Sequence, residues 1–371
     1  MEAGVSSRTA GRPTPRRPGE LPSLGALTAL PVALLCVALW APDARGGGGG
    51  CFGVPTTILG DPTGDDVTVG TPGNDVINTY NGDDVIDGSG GNDLICSGQG
   101  NDEIVGGEGN DRILGGQDGD EMVGDVRDST AVGNGDDFLR GGGGDDTIAG
   151  DALSEVSDAT GTGRDDAHGG GGVDLVVGDA ISSLNATGGG QDEVHGGGDG
   201  DEIVGDARAE LNATGGARDL LRGEFGRDLM VGDSEALGSG DAVGASPDAV
   251  IGDDDKDYVI GDNRSVDGNT IGAARDEVGG GKSRDTLVGD STAGGRAAGG
   301  GGRDQLQGGH KGDLMWGDHE HGGQGGGPDR IRGGAGPDRF KAGPKKDLCK
   351  GGGGRDKDRS RPRCEVTTSI P

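Results

Sequence analysis

Aspartate recurs every nine residues at Asp66, Asp75, Asp84, Asp93, Asp102, Asp111 and Asp120, and Ile or Met stands two places after six of these seven. The phase continues through Asp137 and Asp146, Asp165 and Asp174, Asp192 and Asp201, Asp219 and Asp228, Asp248 and Asp257, Asp276 and Asp285, and Asp304 and Asp313. It closes in a regular run at Asp329, Asp338, Asp347 and Asp356. Only Thr68 and Asp358 break the rule of an apolar residue two places on. Carboxylates repeated with this regularity suit a ladder of hard-cation sites better than a single catalytic pair, which would occur once. The candidate metal ligands are Asp75, Asp84, Asp93, Asp102, Asp111, Asp120, Asp137 and Asp146, a second group at Asp165, Asp174, Asp192, Asp201 and Asp228, and Asp329 and Asp338 in the closing run.

The elements that position these carboxylates follow from the rest of the unit, which reads GGxGxDxUx with U a large apolar residue. Glycine allows a tight turn whose carbonyls point at a common centre. The DxUx half runs extended, with U on the inner face. Oxygen donors alone select calcium, which takes six to eight of them in flexible geometry; a Cys or His set would select a softer metal. On these residues the array resembles the hemolysin-type calcium-binding repeats, the RTX nonapeptide family, over about residues 64–358. The resemblance implies an all-β fold, a right-handed parallel β-roll or β-solenoid. Two units make each coil, and multiple Ca2+ ions sit between the turns of successive coils, held by Asp carboxylates and turn carbonyls. One buried side chain per nine residues is a small return against the entropy of ordering them, and the Asp ladder repels itself. Folding is therefore expected to be coupled to calcium binding.

From Asp137 onward the unit lengthens to 27–29 residues, two Asp nine apart followed by a segment such as ALSEVSDATGTG or AISSLNATGGG that contains no nonapeptide. These segments are expected as loops extruded from one edge of the roll, in preference to a third strand per coil. Each long unit replaces the second Gly of the GG pair by Asp, at Asp125, Asp151, Asp179, Asp206, Asp233, Asp262, Asp290 and Asp318. Two readings of this residue are equally open, a further calcium ligand and a cap on its own turn. The Gly two places before the ladder Asp is replaced at Asp118, Asp199, Ala217, Ser246, Asp255, Ala274, Ser283, Lys311 and Lys345. An ammonium at Lys311 or Lys345 would weaken the turns at Asp313 and Asp347.

Composition bounds the function. Eighty-eight glycines and 2% aromatic residues exclude a thick globular core, and the absence of a three-residue Gly period excludes collagen. The net charge of -32 is concentrated in the repeats: residues 1–45 hold 5 basic and 3 acidic residues, residues 328–371 hold 12 and 6, and the segment between holds 16 and 56. Such a field disfavours nucleic acid and anionic lipid and attracts small cations. Arg12, Arg16 and Arg17, the apolar run Leu24–Trp40 and the stretch APDARG read as an export signal cleaved between Ala41 and Gly46, in preference to a retained membrane anchor, so a secreted, extracellular protein with no stable membrane span is expected. Cleavage removes Cys36 and leaves Cys51, Cys96, Cys349 and Cys364; placement suggests Cys51–Cys96 and Cys349–Cys364 disulfides, although three connectivities are open and free or intermolecular thiols are the alternative.

The expected organisation is an export segment (1–45), an N-terminal cap (46–63), a regular roll (64–124), a roll with 27–29-residue units (125–327) and a basic C-terminal cap (328–371). No catalytic constellation is visible: the serines lack a GxSxG context, and His319, Glu320 and His321 lack zinc-binding spacing and read as solvated loop side chains. The Asn-Ala-Thr tripeptides at Asn185 and Asn212 read as products of repeat duplication before glycosylation sites. In RTX enzymes the catalytic domain is separate, and too little chain remains outside this array for one. The expected function is a calcium-dependent structural or surface-associated role without catalysis. The alternative is an accessory module of an enzyme system acting on acidic extracellular polysaccharide; an enzyme built on the side of the roll is a third, weaker reading. The basic end is the expected contact for self-association or an anionic cell-surface polymer.

Overall fold

A computed structural model describes residues 50–128, 130, 132–298, 301–320, 326–351 and 364–366. The export signal, Cys36, Asp356, Asp358 and residues 352–363 and 367–371 of the basic end lie outside the described residues. Among the described residues there is no helix, and so none long and apolar enough to cross a membrane.

The apolar residue of each nonapeptide dictates the architecture. It points inward from a short strand, and strands one coil apart pair in parallel with the apolar positions in register: Ile77 pairs Ile95, Ile95 pairs Ile113, and Ile113 pairs Leu139. This column runs through a 14-stranded sheet from Ile58–Leu59 to Cys364–Val366, with members such as Val76–Asn81 and Leu94–Gln99. The alternate nonapeptides form a 12-stranded sheet from Val67–Val69 to Arg339–Lys341, whose column is Ile86, Ile104, Met122 and Ile148. The two columns face each other as one core, buried from Ile77 to Cys349. The result is the expected all-β parallel solenoid.

The expectation of extruded loops needs correction. The segment Val126–Arg127, its successor Ala152–Ser154 and their equivalents to Thr292–Ala293 stack as a 7-stranded parallel sheet, and Ala159–Thr160 to Ala297–Ala298 stack as a 6-stranded one. Six successive long coils, those whose added strands run from Ala152–Ser154 to Ala297–Ala298, thus carry four strands each. Two properties make strands of these segments. Their near-constant length brings each onto its copy in the next coil, so Ala159 N–H donates to Asn185 O and Ala186 N–H to Asn212 O, satisfying backbone groups that a loop would leave to water. Alanines at Ala152, Ala180 and Ala207, and at Ala159, Ala186 and Ala213, then pack the two small sheets closely together. The second sheet in turn buries a residue that is half-exposed in the regular block: Val105 is half-buried, whereas Val177, Val204 and Val231 are fully buried beside Ile181.

The Asn-Ala-Thr asparagines belong to this stacking. Asn185 Nδ2 donates to Asp158 Oδ1 at 2.8 Å and Asn212 Nδ2 to Asn185 Oδ1 at 2.8 Å, a side-chain ladder one coil per rung. At the N-terminal end an antiparallel pair, Gly50–Cys51 with Val54–Pro55, is tied to the second strand of the first sheet's regular block by the expected Cys51–Cys96 disulfide, Cα atoms 5.7 Å apart. Cys349 is buried and also disulfide-bonded; the side chain of Cys364, its expected partner, lies outside the described residues.

Candidate metal centre

The ladder aspartates precede the core strands, so the two columns of apolar residues are each flanked by a column of carboxylates. Asp75, Asp93, Asp111 and Asp137 lead into the 14-stranded sheet; Asp84, Asp102, Asp120 and Asp146 lead into the 12-stranded one. All fifteen candidate ligands are buried, none more than 7% exposed. A carboxylate is held there by its two oxygens doing different things.

Oδ1 is an acceptor within the scaffold. The backbone N–H of Asp75 donates to Asp93 Oδ1 at 2.7 Å, that of Asp93 to Asp111 Oδ1 at 2.7 Å, and that of Asp111 to Asp137 Oδ1 at 2.6 Å. The same bond joins Asp165 to Asp192, Asp201 to Asp228 and Asp329 to Asp347 at 2.8–3.1 Å. Oδ2 is different: in every candidate from Asp84 to Asp329 it is buried and meets no donor. A buried carboxylate oxygen without a donor is costly unless a cation satisfies it. Burial accordingly lifts Asp93 to about 6, Asp111 to about 7, Asp120 to about 8 and Asp137 to about 9. Desolvation is the first cause at each, with the neighbouring carboxylates adding to it.

The first glycine of each unit explains itself against these oxygens. A Cβ on Gly88 would collide with the Gly106 carbonyl oxygen of the next coil and stand 2.7 Å from Asp93 Oδ2; one on Gly106 would collide with Gly124 O and stand 2.5 Å from Asp111 Oδ2. Carbonyl and carboxylate oxygens therefore converge on one small space per turn. The donor set is all oxygen and anionic, which fits calcium.

The same placement extends to ladder residues outside the candidate set: Asp219, Asp257, Asp276, Asp285, Asp304, Asp313 and Asp347 are buried with Oδ2 lacking a donor. Lys311 does not disrupt its turn. It adopts a left-handed φ of 67° and is exposed, its Nζ 3.5 Å from Ser283 Oγ, while Asp313 N–H still reaches Asp338 Oδ1 at 3.0 Å.

A third column comes from the Asp that replaces glycine in the long units. It does not cap its own turn. Asp125 Oδ2 accepts from Gly135 N at 2.6 Å, Asp151 Oδ2 from Gly163 N at 2.5 Å, and Asp179 Oδ2 from Gly190 N at 2.9 Å, each donor lying two residues before the next ladder Asp. These carboxylates close the long coil on itself and stand beside the first ladder. Oxygens of Asp125, Asp137 and Asp151 lie within 4.8 Å of one another, as do those of Asp151, Asp165 and Asp179.

His319 corrects its expectation. It is buried, not solvated, because it follows Asp318 in the column that Ser234, Asn263 and Ser291 fill in preceding coils. Its Nδ1 accepts from Ser291 N at 3.3 Å and its Nε2 lies 4.0 Å from Asp290 Oδ2. The Glu320 carboxylate accepts from the Tyr258 hydroxyl; His321 lies outside the described residues.

No curated protein matches the chain. The family model of the RTX calcium-binding nonapeptide repeat matches in four copies, at residues 63–95, 97–126, 131–152 and 324–357. Three of these cover the regular block and the first long coil and the fourth the closing run, and their described residues fall on coils with the turn geometry given above. The chain therefore carries four RTX calcium-binding nonapeptide repeats, set on the coils of a parallel β-solenoid.

Proposed function

We propose that this roll is the calcium-dependent structural or surface-associated part of an exported protein, and that it acts without catalysis. Calcium is its folding partner. The observation that carries this reading is the pair of columns of buried carboxylates whose Oδ2 atoms lack donors coil after coil. A core one apolar residue deep on each side does not offset that many desolvated charges, whereas an ion between successive turns neutralises them and crosslinks neighbouring coils. RTX repeat proteins are typically exported, and the N-terminal signal pattern agrees with export. The test is circular dichroism of the mature chain. Little β signal in chelator, a gain in millimolar calcium and a poor response to magnesium, whose small octahedral shell dehydrates reluctantly, are expected. Full β structure in chelator that calcium leaves unchanged would overturn the reading.

A further inference from the structure

The third column of carboxylates stands outside the nonapeptide pattern, which calls for glycine where Asp125, Asp151 and Asp179 occur. What it faces depends in part on the residue two places before the ladder Asp. At Gly163 a Cβ would stand 2.9 Å from Asp151 Oδ1 and 2.9 Å from Asp165 Oδ2. The missing side chain thus leaves a space lined by two carboxylate oxygens from different columns. Both oxygens are buried without a donor, and Asp151 is 0% exposed. Gly135 holds the same position one coil earlier, 2.7 Å from Asp137 Oδ2 by the same measure. Gly190 keeps this place one coil later; Ala217, Ser246 and Ala274 then fill it, and Gly302 and Gly327 restore it. Ser246 shows what filling it does: its hydroxyl lies 2.7 Å from Asp233 Oδ1 and 3.2 Å from Asp248 Oδ2, the ladder oxygen that has no donor in the earlier coils.

From this geometry we infer that residues Asp125, Asp137 and Asp151, and Asp151, Asp165 and Asp179, form two further sites for a hard divalent cation of the calcium class, bridged by Asp151 and built by the third column against the ladder residues Asp137 and Asp165. The inference rests on the reading that the array binds calcium. Three carboxylates within 4.8 Å of one another repel strongly without an ion, and all-oxygen anionic donors with room for backbone carbonyls or water suit calcium. The sites stand at the seam where two-strand coils give way to four-strand coils, so an ion there pins the first of the added strands to the ladder.

The experiment counts calcium bound per folded chain at saturation, by elemental analysis after gel filtration, with circular dichroism as the check on folding. Asp151→Asn keeps an acceptor for Gly163 N–H and removes the bridging charge; it is expected to lose two ions. Gly163→Ser keeps every carboxylate and copies the donor found at Ser246. Its Cβ would collide with the Gly135 carbonyl oxygen, so the backbone must shift there, as it does in the coils that carry Ala217, Ser246 and Ala274 at this place. The variant is expected to lose the ion between Asp151 and Asp165 while the roll still forms. Should Asp151→Asn fail to fold, Gly163→Ser decides. Variants that fold and keep the full wild-type complement of calcium overturn the two sites and leave the nonapeptide reading standing. A wild-type chain that folds and binds no calcium overturns the nonapeptide reading and this one together.

Discussion

Each ladder aspartate divides its labour between a scaffold oxygen and a cation-facing oxygen, and that division makes sites equal that the sequence ranks differently. A lysine two places before Asp313 suggests a compromised turn, but a left-handed φ at Lys311 sends the ammonium to solvent and leaves the carboxylate bonded as at Asp93. Asp313→Ala and Asp93→Ala are therefore expected to cost alike, on the order of 2 kcal/mol each in calcium. Thermal melts of the two variants check this, and a benign Asp313→Ala would restore the lysine argument. The same carboxylates set the pH response of the metal-free chain. Burial raises their folded-state values to about 6 at Asp93, 7 at Asp111, 8 at Asp120 and 9 at Asp137, all above the ordinary 3.8 of the unfolded chain. The folded state thus holds more protons across this window, so its stability rises as pH falls through these values and is lost as pH rises through them. Metal-free protein is expected to show more β signal at pH 5 than at pH 8. With calcium, which needs the carboxylates ionised, the order reverses. Circular dichroism at the two pH values reads both effects.

At the scale of the element, the core strands were legible and the added ones were not. The strand residues around Ile95, Ile104 and Ile113 announce themselves because U recurs every nine residues, and the register of the 14-stranded sheet through the regular block follows from that one spacing. The segments of the third and fourth sheets have no internal alternation to read. Ala180–Ser182 and Ala186–Thr187 are two or three residues long, and their partners lie a full coil away in the chain, so the signal has a period of about 27 and none of the short periods by which strands are recognised. It was present in the alanines at Ala152, Ala180 and Ala207 and in the second apolar residue at Val177, Val204 and Val231. The paired role of Asp151 was visible only as an open choice, because which backbone amide it reaches depends on how the long coil closes. If the alanine column sets the spacing of the small sheets, Ala207→Leu overpacks it and costs about 1–3 kcal/mol. Hydrogen exchange should place the loosening in residues 125–298 and leave the 64–124 block protected.

For the whole molecule, stability is a sum over neighbours, and its weakest points are where a neighbour is lacking. Asp304 N–H is satisfied by Asp329 Oδ1 and Asp313 N–H by Asp338 Oδ1, both at 3.0–3.1 Å. Truncation after Gly327 removes these acceptors together with the strands Arg330–Ala335 and Arg339–Lys341 that cover the last core residues Leu306 and Met315. The calcium-loaded melting temperature of the truncated chain is expected to fall, and its exchange protection to be lost first in the coil holding Asp304. A melt identical to that of the full chain would show that the closing run contributes nothing to the coils before it.

The aspartate-to-aspartate bonds also give the chain a direction in time. In each of them the amide belongs to the earlier residue and the carboxylate to the later one, separated by 18 residues at Asp75 and by 28 at Asp137. A polypeptide that emerges N-terminus first therefore presents every coil with its amide waiting, and the group that answers it arrives only when the following coil has cleared. Ordering then advances as a front that trails the emerging end by one coil, slower through the long units than through the short ones, and a pause in emergence leaves only the newest coil open.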